Sequence, residues 1–405
     1  MKWLLICAAL LASGGAQNAE DALTAKARAI HDKVLTIDTH VDIPFDFGDR
    51  YDMMKPGPRR QQAHLPTMIS GGLDAPFLIV FVEQEERTTA GYARALSQAF
   101  NKFASIRKLT EETYPDKIGL ALTAADARRI AGSGKKVAFI GVENGYSMGK
   151  DLRLLDQFYD YGARYMGLVH NGHNDLGDSA QPKKGEPAAE WNGLSPLGKL
   201  VVERLNALGI LVDVSHSSDK TTMDIIAASK VPVIASHSAV MGVSKHARNM
   251  SDAALEALGK SGGVIQIVAF DPYLTVTPPE KLAAIVALNK EVGIGGPGEL
   301  DKLPAEKLSA YDARMAELQK KWLRSNVKNL VDHVDYAVKK IGIDHVGLAS
   351  DFNGGGGIDG WNDAGETVNV TRELVRRGYT EDQIAKIWGG NLLRVMDAAQ
   401  AARKN

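Results

Sequence analysis

The chain has 405 residues, 44% hydrophobic and 24% charged, with Lys+Arg 48 against Asp+Glu 49, proportions that allow a large buried core. A formal net charge of -1 leaves no electrostatic footprint for nucleic acid or an anionic membrane surface, so neither is an expected partner. With a single cysteine, Cys7, the fold cannot rest on a disulfide framework.

In chain order, the first element is a charged start, Met1-Lys2, an apolar run, Trp3 to Ala12, and a small-residue exit, Ser13 to Ala16. That is the pattern of a secretory signal peptide, with cleavage expected after Ala16. The run is too short to span a bilayer well and no second one follows it, so no permanent membrane anchor is expected. Cys7 lies inside this segment behind Ile6, where a lipoprotein signal would carry a small residue. Residues 17–405 are expected to form a single catalytic domain in a periplasmic or secreted protein.

Eight short apolar, β-branched runs follow: Val34–His40, Phe77–Val82, Val137–Glu143, Arg164–His170, Ile210–Ser215, Val231–Ser236, Gly263–Ala269 and His345–Ser350. Near-continuous apolar runs suit strands buried on both faces of a parallel sheet. Amphipathic stretches such as Leu197 to Leu208 and Lys220 to Ser229 alternate with them. The pattern predicts the α/β class, specifically a (β/α)8 TIM-type barrel with helical insertions. Two intervals are long: Glu86 to Ile130, read as a charged helical region, and Pro278 to Lys340, read as an inserted lid or helical hairpin. The glycines from Gly293 to Gly298 are read as a loop, since no strand precedes them and no Gly-Lys-Ser/Thr follows.

Polar side chains cluster at the C-terminal ends of these runs, the ends that converge on one mouth in a barrel. His40 and Asp42 end the first, Glu143 the third and His170 the fourth. His216, His237 and Asp351 follow the fifth, sixth and eighth. His40 and Asp42 fall on the same side of an extended segment; alone, that pair fits a solvated loop as well as a metal site. Glu143 would be costly to bury unpaired, and a carboxylate can bridge two cations. His216 and His237 each sit in Ser-His-Ser. Imidazole with carboxylate and no thiolate favours zinc, with manganese or cobalt as alternatives. Asp351 is read as a general base for the attacking water, with a turn or helix cap as its structural alternative. His31, His64, His246, His333 and His345 are read as structural.

These residues resemble the membrane (renal-type) dipeptidase family, zinc metallopeptidases of the amidohydrolase superfamily. The matching stretches run from Asp38-Thr39-His40-Val41-Asp42-Ile43-Pro44 through Gly141-Val142-Glu143-Asn144-Gly145, Arg164 to Asn171, Val212 to His216, Pro232 to Ser238 and Ala247-Arg248-Asn249. They end with Asp344 to Phe352 and Gly389 to Val395. The resemblance implies two zinc ions per chain, one held by His40 and Asp42, the other by His216 and His237, with Glu143 bridging. It implies that His170 steadies the tetrahedral intermediate, that Arg248 holds the substrate's C-terminal carboxylate, and that Asp351 shuttles the proton. The implied reaction is hydrolysis of small dipeptides by a metal-bridging hydroxide, with C-terminal D-residues among the substrates.

The chain departs from the family pattern at Asn353, where many relatives carry a second aspartate, and in its glycine-rich Gly354–Gly357. His173 competes with His170 for its role, and His170 is preferred because it directly ends its run. Without a cysteine in residues 17–405, any homodimer must be noncovalent. An amidohydrolase acting on another amide or ester, such as an N-acyl amino acid or a lactone, is the alternative enzyme; a noncatalytic binding protein is the alternative of another class. Many lactonase-type relatives carry His-x-His on the first strand and a carboxylated lysine at the fourth. Asp42 and His170 stand at those places here, which favours the dipeptidase.

Overall fold

Apolar runs separated by capped helices close here into a parallel barrel. The structure is a computed structural model that describes residues 20–44, 47, 52–55, 61–295, 300 and 303–403. The expected signal segment, residues 1–16, lies outside the described residues. The strands are β1 (Ile37–Asp42), β2 (Ala75–Phe81), β3 (Ile118–Leu120), β4 (Lys136–Glu143), β5 (Ala163–Gly167), β6 (Leu211–Asp213), β7 (Ile234–Ser238), β8 (Val264–Val268) and β9 (Val346–Ala349). All but β3 follow one another round the wall in parallel, in the order β1-β2-β4-β5-β6-β7-β8-β9. The ring closes where Val41 bridges Phe352. There the Asp42 N–H donates to Phe352 O at 2.9 Å and the Asp351 N–H to His40 O at 3.1 Å. This is the (β/α)8 architecture that the eight runs predict.

Several of the helices start where the sequence supplies a cap. The side chains of Thr123, Ser195, Ser218, Ser251 and Asn326 each accept a backbone N–H from the first turn of the helix that follows, satisfying a donor that the helix itself leaves open. Among the described residues no helix is long and apolar enough to cross a membrane.

Two segments differ from expectation. Glu86–Ile130 is not wholly helical. A helix over Thr89–Lys108 gives way to β3, which pairs with Lys136–Ala138 at the start of β4. On the β2 side the Val137 N–H already donates to Asp74 O at 2.8 Å. β5 pairs with β4 only from Ile140, so the opposite edge is open to β3, whose Lys117 O takes the Lys136 N–H at 2.8 Å, and a three-residue strand is too short to show a period. Likewise β5 ends at Gly167, so His170 lies three residues beyond the sheet instead of ending it. The Pro278–Lys340 interval does contain a helical hairpin, Pro279–Val292 against Ala305–Lys321, with its own apolar cluster of Leu288, Ile294 and Tyr311. The rest of the interval supplies a helix of the barrel, Val327–Ile341, and part of the glycine run, 296–298, lies outside the described residues.

Alternation along the strands stacks the interior in layers. On β4, Phe139, Gly141 and Glu143 share one face. Phe139 stacks on Phe77 at 4.6 Å, Tyr165 lies 5.1 Å from Phe77, and Glu143 opens to the mouth above them. On β1, Asp38 occupies the layer beneath His40. Its Oδ1 accepts the N–H of Ser350 at 2.9 Å and of His40 at 3.2 Å, tying the last strand to the first, and burial pushes its carboxyl up to about 6. Asp38→Ala should cost about 1–3 kcal/mol, because it strips buried N–H donors of their acceptor. Urea denaturation of the metal-free protein measures this, and a loss below about 0.5 kcal/mol, the scatter of ordinary surface changes, would remove the latch from the account.

Candidate metal centre at the barrel mouth

Six strands or strand ends deliver donor atoms to one point. Glu143, at the end of β4, divides its two oxygens: Oε2 lies 3.5 Å from His40 Nε2, whereas Oε1 lies 3.1 Å from His216 Nε2, 3.4 Å from His237 Nε2 and 3.8 Å from His170 Nε2. His40 Nε2 is also 3.5 Å from Asp42 Oδ2 and 4.0 Å from Asp351 Oδ1. Three overlapping groups have geometry that could hold an ion: His40, Glu143 and His237; Glu143, His170 and His216; His40, Asp42 and Asp351. All seven side chains expected at the mouth therefore meet there.

Electrostatics fit a site for cations. Burial would raise Glu143, but the neighbouring His40 and His170 charges and hydrogen bonds from His216 and His237 outweigh it and hold Glu143 well below the carboxylate range. Burial pushes the histidines down: His170 below its ordinary value, His216 well below it, and His237, with the His40 charge adding to burial, to about 3. Burial also opposes protonation of His40, yet the Glu143 and Asp42 carboxylates win and hold it well above the histidine range. Asp351 is pushed well above the carboxylate range by burial and by the like charges of Asp42 and Glu143, against the pull of His40. The nitrogens of His216 and His237 face each other at 2.9 Å, both directed at the same carboxylate oxygen. Convergent imidazole and carboxylate donors without a thiolate match the donor set of zinc and related divalent ions.

The backbone is strained where it presents these groups. His216 and Asp351 have φ of +67° and +57°, and Asn353 has +64°, a region unusual for non-glycine residues. Glycine is required beside them. A Cβ on Gly354 would stand 2.2 Å from Asp42 Oδ2 and 2.6 Å from Asp351 Oδ1, so the glycine-rich eighth loop makes room for two carboxylates. Asn353 braces the same corner, donating to Asp42 O at 3.0 Å and accepting the Gln62 N–H at 2.9 Å.

Arg248 reaches the mouth from the loop after β7. It is buried, with Nη2 donating to His237 O at 3.3 Å and its guanidinium carbon 5.4 Å from the Tyr273 ring, while Nε makes no hydrogen bond. His170 packs against Phe81 and His216, with ring centroids at 4.6 and 4.1 Å. His173, its competitor, is occupied elsewhere: Nε2 meets Pro187 O at 2.9 Å and Nδ1 accepts the Ser179 N–H at 3.1 Å. The other five histidines sit in local hydrogen bonds away from the donor cluster, His31 with Thr371 and Gly71, His64 with Thr67, His246 with the Arg248 N–H, His333 with Val240 and Leu274, and His345 with Gly263.

Beneath the donors lies a layer that the sequence reading did not single out. Tyr165 Oη is 3.1 Å from His40 Nδ1 and donates to Thr39 O at 3.0 Å. Ser236 Oγ is 2.8 Å from His237 Nδ1 and donates to Asp213 Oδ2 at 2.6 Å. One signal was available: Asp213 interrupts the apolar run Ile210–Val214, where an unpaired carboxylate would be costly.

Comparison with known proteins agrees with this geometry. A family model described as membrane dipeptidase (peptidase family M19) matches residues 24–405. The dipeptidase tcpJ of Claviceps purpurea is 30% identical over 337 residues, covering 82% of this chain and 68% of that protein. Among solved structures, the probable dipeptidase PvdM from Pseudomonas aeruginosa is 35% identical with a TM-score of 0.82, covering 94% of this chain and 99% of that one. A metallopeptidase from Rhodobacter sphaeroides, solved with a phosphinate mimic of the dipeptide L-Ala-D-Ala, shares the fold at 20% identity and a TM-score of 0.71, covering 90% of this chain and 99% of its own. The chain belongs to the membrane dipeptidase family, peptidase family M19, whose members are metallopeptidases.

Proposed function

We propose that the protein is a zinc dipeptidase holding one ion with His40 and Asp42 and a second with His216 and His237, Glu143 bridging them. The observation that carries this reading is the division of Glu143, one oxygen toward His40 and the other toward His216 and His237. When bound, such ions supply Lewis acidity toward the scissile carbonyl and make water a nucleophile at neutral pH. The chain supplies the rest. Asp351, 4.0 Å from His40 Nε2, accepts the proton of the attacking water and returns it to the leaving amine. His170 donates to the oxygen that gains charge on the carbonyl. Arg248, with an unused buried N–H, forks onto the substrate's terminal carboxylate.

A carboxylate required one residue beyond the cut restricts the substrate to two residues. Because the anchor is the carboxylate, which both enantiomers carry, dipeptides ending in a D-residue belong to the substrate range. An exported location is part of the reading and rests on the pattern of residues 1–16.

Hydrolysis of free dipeptides by the purified protein tests the activity, with a chelator and metal restoration as one arm and C-terminal dipeptide amides as the other. The reading predicts cleavage that chelation abolishes and zinc restores, and kcat/KM about 10- to 100-fold lower for the amides, the worth of a charged hydrogen bond. Metal-loaded protein that cleaves no dipeptide would overturn it; equal cleavage of acids and amides would remove Arg248 from its role and favour another amide or ester as substrate. Asp351→Asn should keep the parent's metal content and lose about 100-fold or more in kcat. Near-parental turnover in that variant would mean that the proton travels by another group.

A further inference from the structure

We propose that Tyr165 and Ser236 are positioning residues that fix, from beneath the donor cluster, the ring tautomers of His40 and His237, so that each presents a bare Nε2 to its ion. This deepens the dinuclear reading above and rests on it. The argument follows from counting hydrogens. The Thr39 carbonyl has none to give, so the Tyr165 hydroxyl donates its single hydrogen there, at 3.0 Å. Toward His40 Nδ1, 3.1 Å away, the same oxygen can only accept. Nδ1 therefore carries a proton, and in the neutral ring Nε2 holds the free lone pair. Nε2 is the nitrogen that faces Asp42, Glu143 and Asp351.

The second arm repeats the logic. Asp213 Oδ1 accepts the N–H groups of Ser215 at 3.0 Å and Ser236 at 2.8 Å, and its Oδ2 takes the Ser236 hydroxyl hydrogen at 2.6 Å. Ser236 Oγ is left to accept from His237 Nδ1, which bares the Nε2 that points at Glu143 Oε1. The arms are joined, because Thr39 Oγ1 donates to Ser236 O at 2.6 Å and the His40 and His237 rings lie 3.8 Å apart. Space for the Tyr165 arm comes from Gly141: a Cβ there would stand 2.2 Å from the Tyr165 ring carbon that carries the hydroxyl. His216 lacks such a partner, its Nδ1 being buried without a hydrogen bond. The layer thus steers one imidazole for each ion. Such outer partners fix ligand orientation and basicity.

The test uses the protein loaded with Co2+, with chelator competition to measure the affinity of each ion and visible absorption to report its coordination. Tyr165→Phe removes one oxygen and should loosen one ion by about 10- to 100-fold and alter its absorption. Ser236→Ala should loosen the other ion instead. Thermal unfolding of the metal-free variants controls for the fold, and if one variant is grossly destabilised the other reads the same layer from its opposite end. A parent protein that cannot hold two ions would refute the dinuclear reading itself. A parent that holds two, with folded variants matching its affinities and spectrum, would overturn this inference and leave that reading standing.

Discussion

A carboxylate buried among imidazoles is the constraint on which the rest of the structure depends. Glu143 ends an eight-residue strand of which seven residues are buried, at a point where an uncompensated charge would cost several kcal/mol. The nitrogens of four histidines gather round it within 3.8 Å. Burial, however, drives three of those rings toward their neutral form, so histidine alone does not balance the acids that share the mouth. Neutral nitrogen lone pairs and carboxylate oxygens converging on common points are what divalent cations require. The cluster makes electrostatic sense as a cation site and is strained as anything else.

The barrel makes this cluster possible by separating tasks along its axis. Aromatic rings at Phe77 and Phe139 fill the lower interior, a hydroxyl-bearing layer of Tyr165, Thr39 and Ser236 lies above them, and the donors crown the stack. Asp38 and Asp213, each accepting N–H groups from its own strand and the next segment, lock neighbouring strands at the height where the donors leave the sheet. Apart from Asn192 in the exposed loop after β5, the strained backbone lies at the rim. His216 and Asp351 take positive φ there because the chain must turn sharply while still facing inward. Glycines at 141 and 354 are the counterpart, giving up side-chain volume to a tyrosine ring and to two carboxylates.

Much of this was legible in the sequence, for physical reasons. Strands buried on both faces need continuous apolar runs, and ionisable residues at the ends of such runs are conspicuous because they would otherwise be penalised. That is why His40, Asp42, Glu143, His216, His237 and Asp351 stand out in the sequence alone. Elements set by tertiary pairing were not legible. The three-residue strand at Ile118 exists because β5 pairs with β4 only from Ile140 and leaves the start of that edge uncovered, and the end of β5 at Gly167 reflects where its neighbour's pairing stops. Tyr165 was hidden for a different reason: a tyrosine in an apolar run looks like core, and only its hydroxyl's distance from His40 gives it another role. The roles of His170 and His173 were separated by geometry too, since His173 is consumed by the loop it belongs to.

The central claim is that one carboxylate joins two ions. Elemental analysis of metal in Glu143→Gln beside the parent tests it most directly, since the amide keeps the shape and removes the charge. The account predicts two ions per chain in the parent and loss of tight binding of both in the variant, with the barrel still folded. A variant that retains two ions as firmly as the parent would contradict it.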